Sequence, residues 1–134
     1  RPPRSTLFPY TTLFRSFRTL DPQLPLLIQE GIAESVIQRF ETCYDCLWKV
    51  LKRYLIEELG IPDAPNSPKP VFRLAFENGL LASGIDVWLR YADVRTDTAH
   101  DYSGEKAAAC IAVMDGFIRD ASALYLTMSG ESWE

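Results

Sequence analysis

The chain has 134 residues, a formal net charge of −4, a 47% share of hydrophobic residues, three cysteines and one histidine. This length and composition suit one globular domain with a single core, and the acidic balance argues against broad, non-specific binding of nucleic acid while leaving a local basic site open. No apolar run reaches the roughly 18–20 residues of a membrane span, and a lone histidine excludes a multi-histidine zinc site. Acid–base chemistry that needs an unperturbed imidazole must therefore use His100.

The first sixteen residues, 1–16, show neither helical periodicity nor strand alternation, and they lack the apolar stretch of a signal peptide. At all sixteen positions they resemble the in-frame translation of a sequencing-adaptor oligonucleotide; the alternative is a genuine basic tail. We predict a disordered, non-native tail over 1–16 and a single helical domain over 17–134. The tail holds three arginines and no acidic residue, so the net charge of the remaining 118 residues is −7.

The first predicted helix is long. Residues 17–31 are ambiguous because Pro22 and Pro25 interrupt them, and they could be the remnant of an earlier helix. From Ile32 to Leu59 apolar residues recur every three or four positions, which predicts one helical face. These positions are 36, 37, 40, 44, 47, 48, 51, 55 and 59. The intervening charged residues, Glu41 and Asp45 among them, are assigned to the solvent-facing side.

A proline-rich loop follows, because residues 60–70 begin with a helix-ending glycine and contain four prolines. Ser67-Pro68 is typical of a helix start, with the serine as cap and the proline in the first turn. The helix that it opens is predicted to run to about Asn78, where Gly79 ends it.

Two further helices complete the prediction. Ser83-Gly84 precedes an apolar stripe from Ile85 to Ala92, and Ser103 is a plausible cap for a last helix over about 104–128. No window shows sustained strand alternation. The predicted class is therefore all-α, an antiparallel bundle of four to five helices.

The cysteines are interpreted as structural. Cys43 and Cys46 have the C-x-x-C spacing, but they lie inside the long helix rather than at its N-terminus, where a redox pair gains its low thiol pKa. Cys110 stands alone on another helix, so no second pair completes a zinc site. We predict small apolar fillers in a reducing cytosol, with no metal and no cofactor.

The strongest chemical candidate is the segment 95–102, Arg-Thr-Asp-Thr-Ala-His-Asp-Tyr. The guanidinium of Arg95 can hold a phosphate group, and the imidazole of His100 can move a proton to or from a ribose 2′-hydroxyl. Together they suffice in principle for metal-independent RNA cleavage. A solvated helix end that carries these residues by chance is the alternative.

Helix geometry limits how Arg95 and His100 can cooperate. Five residues on a regular helix rotate by about 500°, so the two side chains point about 140° apart. They converge only if the helix ends or bends between them, which Thr96 and Thr98 modestly favour. Otherwise the site is shared between two subunits related by a two-fold axis.

Motifs along the chain resemble a known family. In order they are Val36–Glu41, Trp48-Lys49, Leu51–Leu55, Ser67–Arg73, Ala75–Leu80 and Trp88. They resemble the nucleotidyltransferase substrate-binding family, HEPN-domain proteins of the HepT type, over about Gln29 to Ala121. The segment 95–102 falls where this family carries Arg, four residues, His, one residue, Tyr. The family's first helix is largely missing, with residues 1–16 in its place.

The resemblance implies a helical bundle that forms a homodimer in the cytoplasm, beside a minimal nucleotidyltransferase of the MNT type. It implies an RNase toxin with Arg95 and His100 as catalytic residues, silenced when that partner, the antitoxin, transfers AMP to Tyr102. Thr96, Asp97 and Asp101 are supporting residues by position.

A second interpretation stays open, in which the chain is a non-catalytic subunit that presents a substrate or nucleotide to the nucleotidyltransferase. Two departures from the family pattern bear on this choice. Thr96 stands where close relatives have Asn, and Val94 stands where an acidic residue is frequent. A threonine can donate a hydrogen bond but cannot make the bidentate contact of an amide. With the first helix truncated, we also expect the 134-residue chain to be poorly soluble or unstable alone.

Overall fold

The structure is a computed structural model that describes residues 26–100 and 104–130. Within these ranges the chain forms five helices and no strand, so the predicted all-α class is confirmed. They are α1 (Leu26–Glu57), α2 (Pro68–Glu77), α3 (Ile85–His100), α4 (Gly104–Ala112) and α5 (Met114–Ser129). None of these helices has the length and apolar character needed to cross a membrane. The predicted tail 1–16 lies outside the described residues.

Helix α1 is the central element. It spans 32 residues, about 48 Å at 1.5 Å per residue, and it contacts each of the other four helices. Its buried face follows the predicted spacing and is formed by Val36, Ile37, Phe40, Cys43, Tyr44, Leu47, Leu51 and Leu55. The prediction is wrong at Leu59, which lies beyond the helix end at Glu57 and is exposed. The helix begins before the predicted start at Ile32. Leu26 and Leu27 belong to it but are largely exposed, so they contribute nothing to an apolar stripe.

Aromatic side chains fill the centre of the bundle. The ring of Phe117 on α5 meets Phe40 of α1 and Tyr91 of α3 edge to face, with centroids 5.0 Å and 5.3 Å apart. Phe72 of α2 stacks on Trp88 of α3 at 4.7 Å. Such pairs add about 0.5–1.5 kcal/mol beyond the burial of their area. These contacts join α1, α2, α3 and α5 in one core.

Helix α2 confirms the start and stop predicted for it. It begins at Pro68, and Gly79 follows its end with φ of +73°, a conformation that disfavours other residues. One detail of the prediction is wrong: the Ser67 side chain makes no capping hydrogen bond to the helix. The backbone carbonyl of Ser67 instead accepts the Val71 amide at 3.2 Å.

The last predicted helix is two helices. A single helix over 104–128 is wrong because the backbone tightens at Val113, whose amide donates to the Cys110 carbonyl three residues back at 3.2 Å. The buried side chains Cys110, Met114 and Phe117 keep to one side across this break. The three-to-four spacing of apolar residues therefore continues across a position where the regular α-helix is interrupted. Ser103, the predicted cap, lies outside the described residues.

A buried carboxylate ties α5 to the rest of the bundle. Asp120 is 4% exposed and accepts hydrogen bonds from the hydroxyls of Ser83 and Tyr91, both at 2.5 Å. Burial, with this hydrogen bond, raises the pKa of Tyr91 well above its usual value. The carboxylate thereby fixes α5 against α3 and the loop before it.

Candidate active site

Arg95 lies on α3 with its guanidinium held against α1. Its Nε and Nη2 atoms donate to the two carboxylate oxygens of Asp45 at 3.1 and 2.9 Å. Its Nη1 atom donates to Glu41 Oε2 at 2.9 Å. The Asp45 contact is a bidentate fork, the strongest geometry for an arginine–carboxylate pair. The guanidinium is thus fixed in position and orientation.

The two acidic partners correct the sequence prediction. The prediction that Glu41 lies on the solvent-facing side of α1 is wrong, because its side chain is only 12% exposed and contacts Arg95 of α3. The Asp45 side chain is 38% exposed, but it too is paired with Arg95. Their four-residue spacing puts them on one side of the helix. The hydroxyl of buried Thr98 lies 3.0 Å from Glu41 Oε2, so it joins the same cluster. The sequence feature that could have predicted this contact is the pair of acidic residues four positions apart on α1, which can face an arginine of another helix. An analysis based on the spacing of apolar residues does not use this feature.

His100 and Arg95 do not come together within one chain. α3 runs without interruption from Arg95 to His100, so the helix does not end between them. The two residues therefore point about 140° apart. Arg95 faces α1, whereas His100 is exposed at the end of the helix.

The threonines predicted to weaken α3 are accommodated in it. The hydroxyl of Thr96 donates to the Ala92 carbonyl one turn earlier at 3.0 Å, and that of Thr98 lies 3.1 Å from the Arg95 carbonyl. Such bonds satisfy a threonine hydroxyl inside a helix. The two hydroxyls are therefore satisfied within α3, which continues to His100.

The other residues of the motif occupy different environments. Asp97 is exposed on α3, while Val94, where the family pattern is frequently acidic, is buried in the core. Asp101 and Tyr102 lie outside the described residues, so their predicted roles stay predictions.

An open groove adjoins Arg95. It has a volume of about 580 Å³ and is bounded by α1, by the start of α2 and by α3. Residues that line it include Tyr44, Ser67, Lys69, Arg73, Arg95 and Thr96. Lys69 pairs with Asp93 at 2.6 Å, and Arg73 is exposed and makes no ion pair with the described residues. Burial raises the pKa of Tyr44 well above its usual value.

Two of the three cysteines are buried, as expected of small side chains that fill space in the core. Cys43 and Cys110 are buried, whereas Cys46 is exposed. Burial, with a contribution from Cys46, raises the pKa of the Cys43 thiol to about 12, and burial together with Glu41 raises that of Cys110 to about 12. In the described part of the chain, no three side chains of His, Cys, Asp or Glu are grouped to hold a metal ion.

This five-helix bundle has the fold of the substrate-binding proteins of nucleotidyltransferases. Residues 10–130 match the family described as nucleotidyltransferase substrate binding protein like, and the chain belongs to this family. The resemblance seen in the motifs is confirmed. The match begins inside the segment 1–16, whose origin as a non-native tail stays a prediction.

Relatives extend the comparison. The chain is 32% identical over 102 residues to a Haemophilus influenzae protein named "Probable ribonuclease HepT", covering 75% of this chain and 69% of that protein. A Haemophilus influenzae structure, described as the fold of a substrate-binding domain of a nucleotidyltransferase, superposes with a TM-score of 0.77 at 26% identity, over 92% of this chain and 94% of that one. A crystal structure from Thermus thermophilus gives a TM-score of 0.69 at 27% identity, over 90% of this chain and 98% of that one.

Proposed function

We propose that the protein is the HEPN-type toxin of a toxin–antitoxin pair, a metal-independent endoribonuclease of the cytoplasm. The observation that carries the proposal is the fixed guanidinium of Arg95 on the same helix as an exposed imidazole, His100. The name of the ribonuclease relative supports the same reaction. The antitoxin in this proposal is a minimal nucleotidyltransferase of the MNT type, and the family description supports a nucleotidyltransferase as the partner.

The active form is a homodimer. Because α3 is continuous, Arg95 and His100 of one chain diverge, and a two-fold axis near the end of α3 is the simplest way to bring Arg95 of one subunit to His100 of the other. Each dimer then contains two equivalent sites. The exposure of His100 at the helix end is compatible with such a shared site.

The reaction follows from these two groups. His100 accepts the proton of a ribose 2′-hydroxyl, and the 2′-oxygen attacks the adjacent phosphorus. Arg95 stabilises the negative charge that grows on the phosphate oxygens. The bond to the 5′-oxygen then breaks, and that oxygen takes a proton from the imidazolium or from water. The products are a 2′,3′-cyclic phosphate and a 5′-hydroxyl end.

Inhibition acts at Tyr102, two residues after His100. In the proposed pair the nucleotidyltransferase transfers AMP to the Tyr102 hydroxyl. The modification would add phosphate charge and bulk close to His100, where the substrate phosphate must bind. Mass spectrometry of the toxin after co-expression with the nucleotidyltransferase tests this, and an unmodified Tyr102 in an inactive complex would contradict it.

The test of the enzymatic proposal is His100→Ala in the full chain. We expect RNA cleavage to fall at least about 100-fold and growth inhibition to disappear, because a general acid–base group contributes about 10²–10⁴ in rate. Arg90→Ala is the matched control, since Arg90 is exposed on the same helix and outside the groove. Wild-type cleavage by His100→Ala, with the control also active, would overturn the catalytic assignment.

A second function is favoured by one observation. Arg95 is already engaged by two carboxylates, as a structural arginine would be, and the neighbouring groove is open. A non-catalytic subunit would use this groove to bind a substrate or nucleotide for the nucleotidyltransferase. In that case neither protein cleaves RNA, and nucleotide transfer by the partner depends on formation of the complex.

A further inference from the structure

The cluster around Arg95 leaves an electrostatic problem for an RNA substrate. Glu41 and Asp45 together outweigh the single guanidinium, so the cluster has a formal charge of −1. A phosphodiester also has a charge of −1, and its approach to this cluster is unfavourable unless other cations compensate. The cations must lie within reach of Arg95.

The groove beside Arg95 contains further cations. Its lining contains Lys69, Arg73 and Arg95 against one carboxylate, Asp45. Arg73 is exposed on α2 and unpaired among the described residues, so no carboxylate must be displaced before it binds a phosphate. Lys69 is paired with Asp93, but both side chains are about half exposed, and such a pair is weak in water.

The environment of Tyr44 indicates that the same groove suits a ligand with oxygen atoms. The side chain lines the groove and is 1% exposed, and its hydroxyl has no hydrogen-bond partner among the described residues. A buried hydroxyl without a partner is costly and uncommon. After a small rearrangement, this hydroxyl would donate a hydrogen bond to a phosphate or ribose oxygen in the groove.

A second basic depression borders the same linker between α1 and α2. It is lined by Lys49, Lys52 and Arg53 of α1 with a single carboxylate, Glu57, and with Asn66 of the linker. Asn66 adjoins Ser67, which lines the groove, and Lys52 Nζ donates to Asn66 Oδ1 at 3.0 Å. Each lining therefore has three cations and one carboxylate. In the groove, Lys69 and Arg95 are also paired with Asp93 and Glu41, which do not line it, so among the described residues its uncompensated positive charge is that of Arg73.

We propose that these two depressions form one path for the phosphate backbone of single-stranded RNA, leading from Lys52 and Arg53 past Arg73 to Arg95. The inference rests on the proposed ribonuclease function and names how its substrate is held. From Asp45 to Arg53 the path is about 12 Å long at 1.5 Å per helical residue, which corresponds to roughly three or four nucleotides at the spacing of a stacked strand. The path does not discriminate between RNA sequences, because it contacts the phosphate backbone of the RNA and not the bases.

Binding of a non-cleavable strand tests the path apart from catalysis. The probe is a fluorescent single-stranded RNA with 2′-O-methyl riboses, since methylation removes the attacking hydroxyl. Against the full wild-type chain, Arg73→Gln and the double variant Lys52→Gln/Arg53→Gln should each raise Kd about 5- to 20-fold. The dependence of log Kd on log salt should also weaken by about 0.7 per phosphate contact removed. Arg119→Gln is the control, because Arg119 is exposed on α5, which lines neither depression.

Each outcome decides the proposal. Selective loss of RNA affinity and of salt dependence in the path variants, with Arg119→Gln within about twofold of wild type, supports it. Equal losses in all variants, no loss in any, or no binding by the wild type would overturn it. If the path variants bind RNA like the wild type but no longer bind the purified nucleotidyltransferase, the two depressions are a binding surface for that protein instead. Cleavage of unmodified RNA by the wild type is measured in parallel, so failure of the path and failure of the ribonuclease proposal are distinguishable.

Discussion

At the scale of single residues, the anchoring of Arg95 is the feature on which the site depends. An arginine side chain on a surface helix samples many rotamers, and fixing it costs up to about 2 kcal/mol of side-chain entropy. The fork to Asp45 and the contact with Glu41 meet that cost in the folded state. The guanidinium is then pre-organised when a phosphate arrives.

Glu41→Gln tests this anchoring. Because the amide loses the charge of the partly buried pair with Arg95, we expect the free energy of unfolding to fall by about 1–2 kcal/mol. If Arg95 is catalytic, the single-turnover rate constant for RNA cleavage should fall about 10-fold through mispositioning of the guanidinium. Urea denaturation and single-turnover cleavage measure the two effects. Glu34→Gln, at an exposed position of the same helix, should change neither; similar losses in both variants would contradict the anchoring role.

At the scale of helices, the sequence and the structure agree where an apolar stripe or a turn residue carries the information. The buried face of α1 follows from its three-to-four spacing, and both ends of α2 follow from Pro68 and Gly79. Two features could not be predicted in this way. The contact of Glu41 with Arg95 depends on how α1 packs against α3, and the break at Val113 leaves the apolar spacing intact.

Some residues of the candidate site could be predicted from the sequence and others could not. Arg95 and His100 stand out in the sequence because their chemistry is local to one segment. Lys69 and Arg73 reach the same groove only through the tertiary packing of α2, fixed by the stacking of Phe72 on Trp88. No spacing within the chain relates these residues to Arg95, so the basic lining of the groove becomes visible only in the folded molecule.

The attachment of α5 yields a prediction at this scale. Asp120→Ala removes the acceptor for two hydroxyls and leaves the Tyr91 hydroxyl buried without it. We expect a loss of about 2–3 kcal/mol in the free energy of unfolding, as for other buried polar groups deprived of their partners. Thermal and urea unfolding measure it, with Thr127→Ala as an exposed control on the same helix. Unchanged stability in Asp120→Ala would show that packing alone holds α5.

At the scale of the whole molecule, the continuity of α3 makes the oligomeric state part of the mechanism. Arg95 and His100 diverge in one chain, so a catalytic dimer with shared sites predicts that two inactive variants complement each other. Co-expression of Arg95→Ala with His100→Ala should give mixed dimers in which one of the two sites pairs an intact Arg95 with an intact His100. With random pairing, half of the dimers are mixed, so about a quarter of the wild-type cleavage rate should return. Each variant alone should be inactive, and an inactive mixture despite mixed dimers in native mass spectrometry would contradict a site shared in this way.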